Sequence, residues 1–490
     1  MSRVYVDNLG YCGGKPAFLQ KTKRPFGCYG ANSEFCTPIP VAPETAFGFA
    51  ADKPAFMRMK LYSTKHQSPD VSLEEAVFRG LPPDNGLYMP ESIPVLPASF
   101  FDGIDQLSLS EIALAVTNAL LGDDIPADDL RRIVERAITF DAPVVPVEEN
   151  TYVLELFHGP SMAFKDFGAR FMASLMSYFL EKSSKEIHIL VATSGDTGGA
   201  VAQGFHHTPG IRVTILYPSG KVSDIQEKQL TTLGGNVTAL EVDGTFDDCQ
   251  RLVKEAFLDA DLRAKFNLAS ANSINISRLI PQSFYYFNAY ARLKHLGKSL
   301  VFSVPSGNFG NLSAGVIAYR MGLPVRKFIA ATNANHVVPT FLSTGTFEPK
   351  PSVETLSNAM DVGNPSNFPR LLLLGGGEWE TVRDLVSGVW YSDAETQAAI
   401  REVFESTGYL MCPHTAIAWK GLRDTVAKMN EDVTGVFLST AHYAKFLPTM
   451  EATLGQSVPV PERLAELLDK PKVATPMSTR FADFKAYLLG

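Results

Sequence analysis

The sequence predicts an α/β fold in which mostly parallel sheets are flanked by helices, behind a small N-terminal unit. From about residue 187 onward, β-rich apolar segments alternate with helical segments of roughly 10–15 residues, which is typical of right-handed βαβ units. Two of the predicted strands run directly into glycine-rich segments, at the carboxyl edge where ligands bind in such sheets. The 490 residues also exceed a single simple core and predict two or three packed units.

The composition excludes several classes of protein. Hydrophobic residues make up 45% of the chain and charged residues 20%, as in an ordinary globular protein. A net charge of −8 without a Lys/Arg run argues against a nucleic-acid surface, and no apolar run approaches the roughly 18 residues that span a membrane. The five cysteines lack metal-ligand or CxxC spacing, so we expect neither a zinc site nor a disulfide framework, but reduced thiols in the cytoplasm.

Residues 1–58 differ from the rest of the chain. They combine loose Gly and Pro spacing with no sustained helical or strand period and no apolar signal core. We therefore expect a dispensable disordered extension, or a segment upstream of the natural start, with Met57 or Met59 as the first residue.

The predicted N-terminal unit spans residues 59–149. It begins with the strand-like MKLYSTKH and a short helix in VSLEEAVFRGL, where Ser72 and Glu75 have capping-box spacing. Two further helices are predicted at about 108–120 and 127–137.

The predicted main region spans residues 150–490 and includes a smaller α/β subdomain at roughly 185–295. Its strands are short apolar, β-rich runs between helical segments. These predicted strands are 187–193, 212–218, 236–242, 299–305, 325–333 and 433–441.

Lys165 stands where a charged residue is unfavourable. It follows Phe164 at the entry of an apolar helix, where both burial and the helix dipole disfavour an ammonium ion. A desolvated lysine loses its proton more easily, and the neutral amine can form a Schiff base with an aldehyde. The alternative is a structural lysine whose ammonium group reaches solvent.

The segment SGNFGN, residues 306–311, follows a predicted strand and opens a helix. Gly307 and Gly310 allow the backbone to approach an anion, which the helix N-terminus favours. We expect Gly310 to tolerate no side chain, because a Cβ would meet the anion or require a positive φ. A plain tight turn is the alternative.

The segment TSGDTGG, residues 193–199, occupies the same position after another strand. The hydroxyls of Thr193, Ser194 and Thr197 suit a second anion, whereas simple helix capping by Asp196 or Thr197 is the alternative.

Two more segments carry polar groups of interest. In SANSINISRLIPQ, residues 270–282, Arg278 offers the fork that binds phosphate or carboxylate, although a solvated surface arginine is the alternative. In STAHY, residues 439–443, His442 is better explained as a structural histidine than as a base.

Five motifs in this order resemble the threonine synthase family of fold-type II pyridoxal-phosphate enzymes, and the resemblance covers about residues 59–490. They are HGPSMAFKDFG (158–168), ATSGDTGGA (192–200), NSINISR (272–278), SVPSGNFGN (303–311) and STAHYAKF (439–446). The resemblance implies a tryptophan synthase β-like fold with two α/β domains and a small N-terminal unit.

The resemblance also implies roles for individual residues. Lys165 would hold pyridoxal 5′-phosphate as a Schiff base and then move protons, and Asp196, in a protonation state left open, would lie beside the 3′-oxygen. Thr440 would bind the pyridine nitrogen. The cofactor phosphate would be bound by Gly307, Asn308, Phe309, Gly310 and Asn311, with Asn311 also facing the substrate. The substrate phosphate would be bound by Ser194, Thr197, Asn272, Ser273 and Arg278.

The implied reaction converts O-phospho-L-homoserine and water into L-threonine and phosphate by γ-elimination and β-addition, in a cytoplasmic monomer or homodimer without a metal. One alternative is a phospho-lyase that acts by β-elimination on another phosphorylated amino compound. A serine or threonine deaminase would not need Arg278, and a metabolite-sensing pseudo-enzyme would not need Lys165.

Overall fold

The computed structural model of the chain describes residues 59–181, 183 and 185–490. The predicted extension, residues 1–58, therefore lies outside the described residues. The described residues belong to one compact unit. Within those ranges no helix has both the length and the apolar character needed to cross a membrane.

The chain first forms a two-stranded antiparallel sheet and four helices. Ser72 caps α1 by accepting a hydrogen bond from the backbone N–H of Glu75, which is half of the predicted capping box, and Ser108 forms a full reciprocal box with Glu111 at the start of α3. These elements are β1 (Leu61–Ser63), α1 (Leu73–Arg79), β2 (Tyr88–Pro90), α2 (Ala98–Gly103), α3 (Leu109–Leu121) and α4 (Ala127–Ala137).

The next part of the chain alternates strands and helices, as the apolar periodicity predicts. Its elements are β3 (Val144–Glu148), β4 (Thr151–Glu155), α5 (Lys165–Leu180), β5 (Ile187–Ala192), α6 (Asp196–Phe205), β6 (Ile211–Pro218), α7 (Asp224–Thr231), β7 (Val237–Val242), α8 (Phe246–Leu258), α9 (Ala260–Lys265), β8 (Asn267–Ser270), α10 (Ile276–Leu279) and α11 (Phe284–Leu293).

The last part continues the same alternation. Its elements are β9 (Ser299–Pro305), α12 (Gly310–Arg320), β10 (Val325–Thr332), α13 (Val337–Thr344), α14 (Phe368–Leu374), α15 (Trp379–Leu385), β11 (Val386–Trp390), α16 (Asp393–Thr407), α17 (Pro413–Val426), β12 (Val433–Ser439), α18 (Leu447–Leu454), α19 (Glu462–Leu468), β13 (Thr475–Met477) and α20 (Phe481–Leu489). Short 3₁₀ helices are Ile104–Gln106, Ile280–Ser283, Lys294–Leu296, Asn358–Met360 and Tyr443–Phe446.

Two larger sheets organise these elements. One has the strand order β11-β10-β9-β12-β4-β3 and is parallel except for the edge pair β3–β4. The other has the order β13-β7-β6-β5-β8 and is parallel throughout. The second sheet contains the strands of the predicted subdomain at 185–295 and also β13, which comes from the far end of the chain. The domain boundaries stay a prediction.

Helix α5 lies in the core and places Lys165 at its first position. The side chains of Phe167, Phe171 and Leu175 are fully buried, as their spacing predicts. All six residues of β5 are buried too, because helices cover both faces of a parallel sheet. The carboxyl ends of β5, β9 and β12 consequently lead into one internal region.

Candidate active site

One cavity brings together nearly all of the side chains that the sequence singles out. Its lining includes Lys165 from α5, Asp196 and Thr197 from α6, and Thr440 after β12. Two of the predicted residues, Ser194 and Asn272, do not line it. The remaining lining residues are Phe164, Ser273, Arg278, Gln282, Pro305, Ser306, Gly307, Asn308, Phe309, Gly310, Asn311, Ala359, Met360 and His414.

Lys165 faces this cavity with a perturbed amine. Burial lowers its pKa to about 8; the nearby Asp196 carboxylate opposes this shift, whereas the cations Arg278 and Lys445 add to it. Lys165 is half-buried and lines the cavity, and its lowered pKa agrees with the prediction of a desolvated lysine. A substantial fraction of this amine is neutral near pH 8, as Schiff-base chemistry requires.

Asp196 belongs to a buried ion pair that sequence reasoning missed. Its Oδ1 lies 2.6 Å from Nζ of Lys445, and both side chains are at most 5% exposed. The side-chain amide of Gln226 donates a second hydrogen bond at 2.9 Å. Burial alone would raise the pKa of Asp196, but the ammonium groups of Lys445 and Lys165 hold it below its usual range. The structure therefore favours an ionised Asp196.

The segment 193–199 satisfies its own helix start. Thr193 Oγ1 accepts hydrogen bonds from the backbone N–H groups of Gly195, at 3.0 Å, and Gly198, at 2.8 Å. Gly195 is needed here because its φ is +135° and a Cβ would come within 2.5 Å of the Gln226 side chain. The proposed capping by Asp196 or Thr197 is wrong, since Thr193 does this instead, and its hydroxyl is not free for an anion.

The segment 306–311 leaves its helix start open. No side chain of the N-cap residue Phe309 caps α12, and Phe309 itself has the left-handed conformation with φ of +61°. Of the two reasons given for glycine at position 310, the positive φ does not apply, because Phe309 and not Gly310 has it. A Cβ on Gly310 would have Asn367 Nδ2 as its nearest neighbour, at 3.5 Å, so the space beside it belongs to the cavity. This cradle fits a phosphate at a helix N-terminus.

Two buried donors at the cavity have no partner among the described residues. They are Nε of Arg278 and Nδ2 of Asn311. Arg278 is 3% exposed, so the alternative of a solvated surface arginine is wrong. Burial lowers its pKa to about 10, opposed by the charge of Asp166. Unpartnered buried donors are costly, and a bound anion would satisfy both.

Two histidines near the cavity are held as structural groups. Nε2 of His414 accepts a hydrogen bond from the backbone N–H of Ala359 at 3.2 Å, and burial lowers the pKa of His414 to about 4. Nδ1 of His442 accepts from the N–H of Ala444 at 3.2 Å, which agrees with the structural interpretation of this residue. Both rings are therefore neutral at pH 7.

Arg370 links the N-terminal unit to the cavity wall, and no sequence pattern pointed to it. Its guanidinium is fully buried and donates to the backbone oxygen of Tyr88 at 2.8 Å and to Oδ1 of Asn367 at 2.9 Å. The amide of Asn367 in turn donates to Oγ of Ser273, a lining residue, at 3.3 Å. Burial lowers the pKa of Arg370 to about 9.

The fold and the cavity define a class of protein. Residues 141–440 match the family described as "Pyridoxal-phosphate dependent enzyme". The desolvated lysine, the open helix start and the unpartnered donors fit that cofactor, so this is a fold-type II pyridoxal-phosphate enzyme.

The flanking regions and the relatives identify the family within this class. Residues 60–138 match "Threonine synthase N terminus" and residues 415–488 match "Threonine synthase, C-terminal". The threonine synthase of Haemophilus influenzae is 47% identical over 432 residues, which cover 88% of this chain and 100% of that protein. The chain belongs to the threonine synthase family.

Solved structures agree with this assignment. The crystal structure of threonine synthase from Escherichia coli is similar with a TM-score of 0.82 at 45% identity, and covers 88% of this chain and 99% of its own. The pyridoxal-phosphate-bound threonine synthase of Brucella melitensis has a TM-score of 0.83 at 36% identity, with 88% and 98% covered.

Proposed function

We propose that this chain converts O-phospho-L-homoserine and water into L-threonine and inorganic phosphate. The observation that carries the proposal is a single cavity lined by Lys165, by Arg278 and Asn311, which each carry a donor without a partner among the described residues, and by the open start of α12. A reaction that releases phosphate from a substrate bound to a phosphorylated cofactor needs both an amine and two places for phosphate.

Lys165 is the proposed attachment point for the cofactor aldehyde, and Gly307, Asn308, Phe309, Gly310 and Asn311 are the proposed phosphate cradle. Asp196 would lie beside the 3′-oxygen, held there by its ion pair with Lys445. The hydroxyl of Thr440 would bind the pyridine nitrogen. When bound, pyridoxal phosphate withdraws electrons from the amino-acid substrate and so makes the protons on its Cα and Cβ removable.

Arg278, Ser273 and Thr197 are the proposed contacts of the substrate phosphate. Arg278 supplies charge and an unpartnered Nε, and Ser273 is positioned by Asn367. Ser194 and Asn272 do not line the cavity, so they are not assigned direct contacts. Binding energy at this phosphate would orient the bond between Cγ and oxygen for cleavage.

Lys165 is the proposed base once the amino group of the substrate has released it from the aldehyde. Its amine takes the Cα proton, and removal of a Cβ proton then allows phosphate to leave from Cγ. The proton removed from Cβ is balanced by one that Cγ receives as it becomes the methyl group, the hydroxyl of one water ends on Cβ while its other proton leaves with phosphate, and the Cα proton is returned to give threonine. The carboxylate of Asp196 and the ammonium of Lys445 keep a fixed charge pattern around these transfers.

The cytoplasm is the proposed location, because the buried Cys249 and Cys412 are free thiols, which suits a reducing compartment. A monomer or homodimer is the proposed assembly.

The deciding assay incubates the purified chain, loaded with pyridoxal phosphate, with O-phospho-L-homoserine and measures phosphate and threonine separately. Equal amounts of both products support the proposal. Phosphate without threonine would favour the phospho-lyase alternative, and no phosphate at all would refute both.

Arg278→Ala separates the two phosphate sites. We expect this variant to keep the cofactor and its visible spectrum but to lose about ten- to a hundredfold in kcat/KM, the effect of one charge-assisted contact. Inorganic phosphate should also inhibit it more weakly. Loss of the cofactor with unchanged phosphate inhibition would mean that the two sites are assigned the wrong way round.

A further inference from the structure

The side-chain amide of Asn311 is held by two tyrosines. The hydroxyls of Tyr285 and Tyr286 both lie 2.7 Å from its Oδ1. Asn311 is the second residue of α12, whereas the tyrosines open α11 directly after the 3₁₀ helix Ile280–Ser283. Both tyrosines are fully buried, and Asn311 is 6% exposed. Oδ1 of Asn311 thus accepts two hydrogen bonds, although one would already satisfy a buried amide oxygen.

The count of hydrogens determines which end of the amide faces the tyrosines. Each hydroxyl has one proton to donate, and Oδ1 can accept both. If the amide were turned over, the Tyr286 hydroxyl could still donate to the backbone oxygen of Asn311, at 3.2 Å. The Tyr285 proton would then have no acceptor among its described contacts. The amide therefore keeps Oδ1 on the tyrosines and presents Nδ2 away from them.

Nδ2 of Asn311 is consequently a donor without a partner. It is buried, makes no hydrogen bond within the described residues, and belongs to a side chain that lines the cavity. Arg278, whose Nε also has no partner among the described residues, lines the same cavity. Burial raises the pKa of both tyrosines well above the usual value, so their hydroxyls stay protonated donors at every relevant pH.

We propose that Tyr285 and Tyr286 are positioning residues that lock the amide of Asn311 with its NH₂ group toward the cavity, where it donates to a phosphate monoester. The identity of the ester, cofactor or O-phospho-L-homoserine, rests on the proposed function, but the lock itself does not. A freely turning amide would present an acceptor to the anion part of the time, and an acceptor repels phosphate. The two hydroxyls thus make this position selective for anions.

The test uses Tyr285→Phe, Tyr286→Phe and the double variant, which remove the hydroxyls and keep the rings. Tyr217→Phe is the matched control, because Tyr217 is a fully buried tyrosine of β6 that does not line the cavity. One arm titrates the apoprotein with pyridoxal phosphate and measures Kd. The other measures competitive inhibition of the holoenzyme by inorganic phosphate.

We expect the double variant to bind phosphate about tenfold more weakly in one of the two arms, and each single variant about threefold. Weakening in the pyridoxal-phosphate arm assigns Nδ2 to the cofactor, and weakening in the inhibition arm assigns it to the substrate. Unchanged Kd and unchanged inhibition in the double variant, as in Tyr217→Phe, would overturn the proposal. If wild-type protein makes no threonine, the proposed function fails and the inhibition arm is lost with it, but the pyridoxal-phosphate arm still reports on the orientation of the amide.

Asn311→Ala shows whether the tyrosines act through the amide. In this background, removal of both hydroxyls should change neither Kd nor inhibition further, because the group that they orient is absent. If the tyrosine substitutions weaken phosphate binding equally in the presence and absence of the Asn311 side chain, they act by another route and the proposal is wrong.

Discussion

Two segments of this molecule have the same sequence pattern but opposite structures. Residues 193–199 and 306–311 each follow a parallel strand, contain glycine and open a helix. In the first, the Thr193 hydroxyl accepts hydrogen bonds from two backbone N–H groups. The Asp196 carboxylate in that segment accepts a hydrogen bond from Gln226 and forms an ion pair with Lys445. In the second, no N-cap side chain blocks α12, and Asn311 presents an unpartnered donor. Protein atoms satisfy part of the first segment, although its Asp196 and Thr197 still line the cavity, whereas the helix start of the second segment is open to an anion.

The difference shows what makes a glycine-rich helix start a phosphate site. Glycine allows the backbone geometry, but the free backbone and side-chain donors decide whether an anion can bind. In the first segment, Thr193 satisfies two of those donors, the N–H groups of Gly195 and Gly198. The position of the left-handed residue differs as well: Gly195 in one segment, and Phe309, a residue with a side chain, in the other.

Substitution of Lys165, which lines the cavity together with residues of both segments, should have the largest effect. Lys165→Ala should abolish the borohydride-reducible adduct with pyridoxal phosphate and all turnover, because Lys165 is the only lysine among the described residues that lines the cavity. Reduction and mass spectrometry measure the adduct. The control is Lys254→Ala, an exposed lysine of α8. Normal turnover by Lys165→Ala would show that Lys165 does not hold the cofactor and that the cavity lined by the two segments is not the cofactor site.

The first segment should depend on its ion pair. Lys445→Met leaves the buried carboxylate of Asp196 without its main partner, which should cost about 3–5 kcal/mol in the unfolding free energy of the apoprotein. The double variant Lys445→Met with Asp196→Asn should recover a large part of this loss, since no unpaired charge remains. Urea unfolding measures both. Additive losses in the double variant would mean that the two charges are not coupled.

Substitution of Gly195 and of Gly310 is the most direct test of the difference between the two helix starts. Gly195→Ala should destabilise the apoprotein by about 3 kcal/mol, because alanine meets Gln226 and resists a φ of +135°. Gly310→Ala should leave the unfolding free energy within about 0.5 kcal/mol, but weaken pyridoxal phosphate at least tenfold, since its methyl group enters the space beside the helix start. If Gly310→Ala destabilises the apoprotein as much as Gly195→Ala, the second segment is not open.

The smallest expected effect is a shift in pH dependence. The rate at which the apoprotein forms its adduct with pyridoxal phosphate should rise with pH and level off above the Lys165 pKa of about 8, well below the usual value for lysine, because the neutral amine reacts. The Asp196 carboxylate raises the pKa of Lys165, so Asp196→Asn should move the midpoint to lower pH. Asp247→Asn, on the exposed side of α8, should not move it. A midpoint that rises in Asp196→Asn would contradict the sign of this interaction.

The sequence predicted the strongly periodic elements closely. The predicted helix 127–137 and strand 299–305 match α4 and β9 residue for residue, because their apolar spacing is decided locally. The edge strand β3 and the short strand β13 were not foreseen: β3 is only partly buried, and β13 joins β7 from more than two hundred residues away. Such pairings depend on tertiary contacts that no local pattern carries.

The same distinction between local and distant contacts decides which residues of the candidate site could be predicted. Lys165 and the segment 306–311 were found because a charge in an apolar helix and a glycine-rich turn are local signals. Lys445 and the tyrosine pair were not, since their partners Asp196 and Asn311 are distant in sequence. The positive φ lies at Phe309 instead of Gly310, since glycine is the usual residue there but not a required one.

The contact between Arg370 and Tyr88 has a consequence for exchanging parts among relatives. The Arg370 guanidinium donates to a backbone oxygen, and every residue has one. This hydrogen bond therefore needs no particular side chain at position 88 when β2 is replaced by the corresponding strand of another family member. Deletion is different, because a fully buried cation would lose an acceptor that holds it beside Asn367. Replacement of β2 should therefore keep this contact, whereas its removal should not.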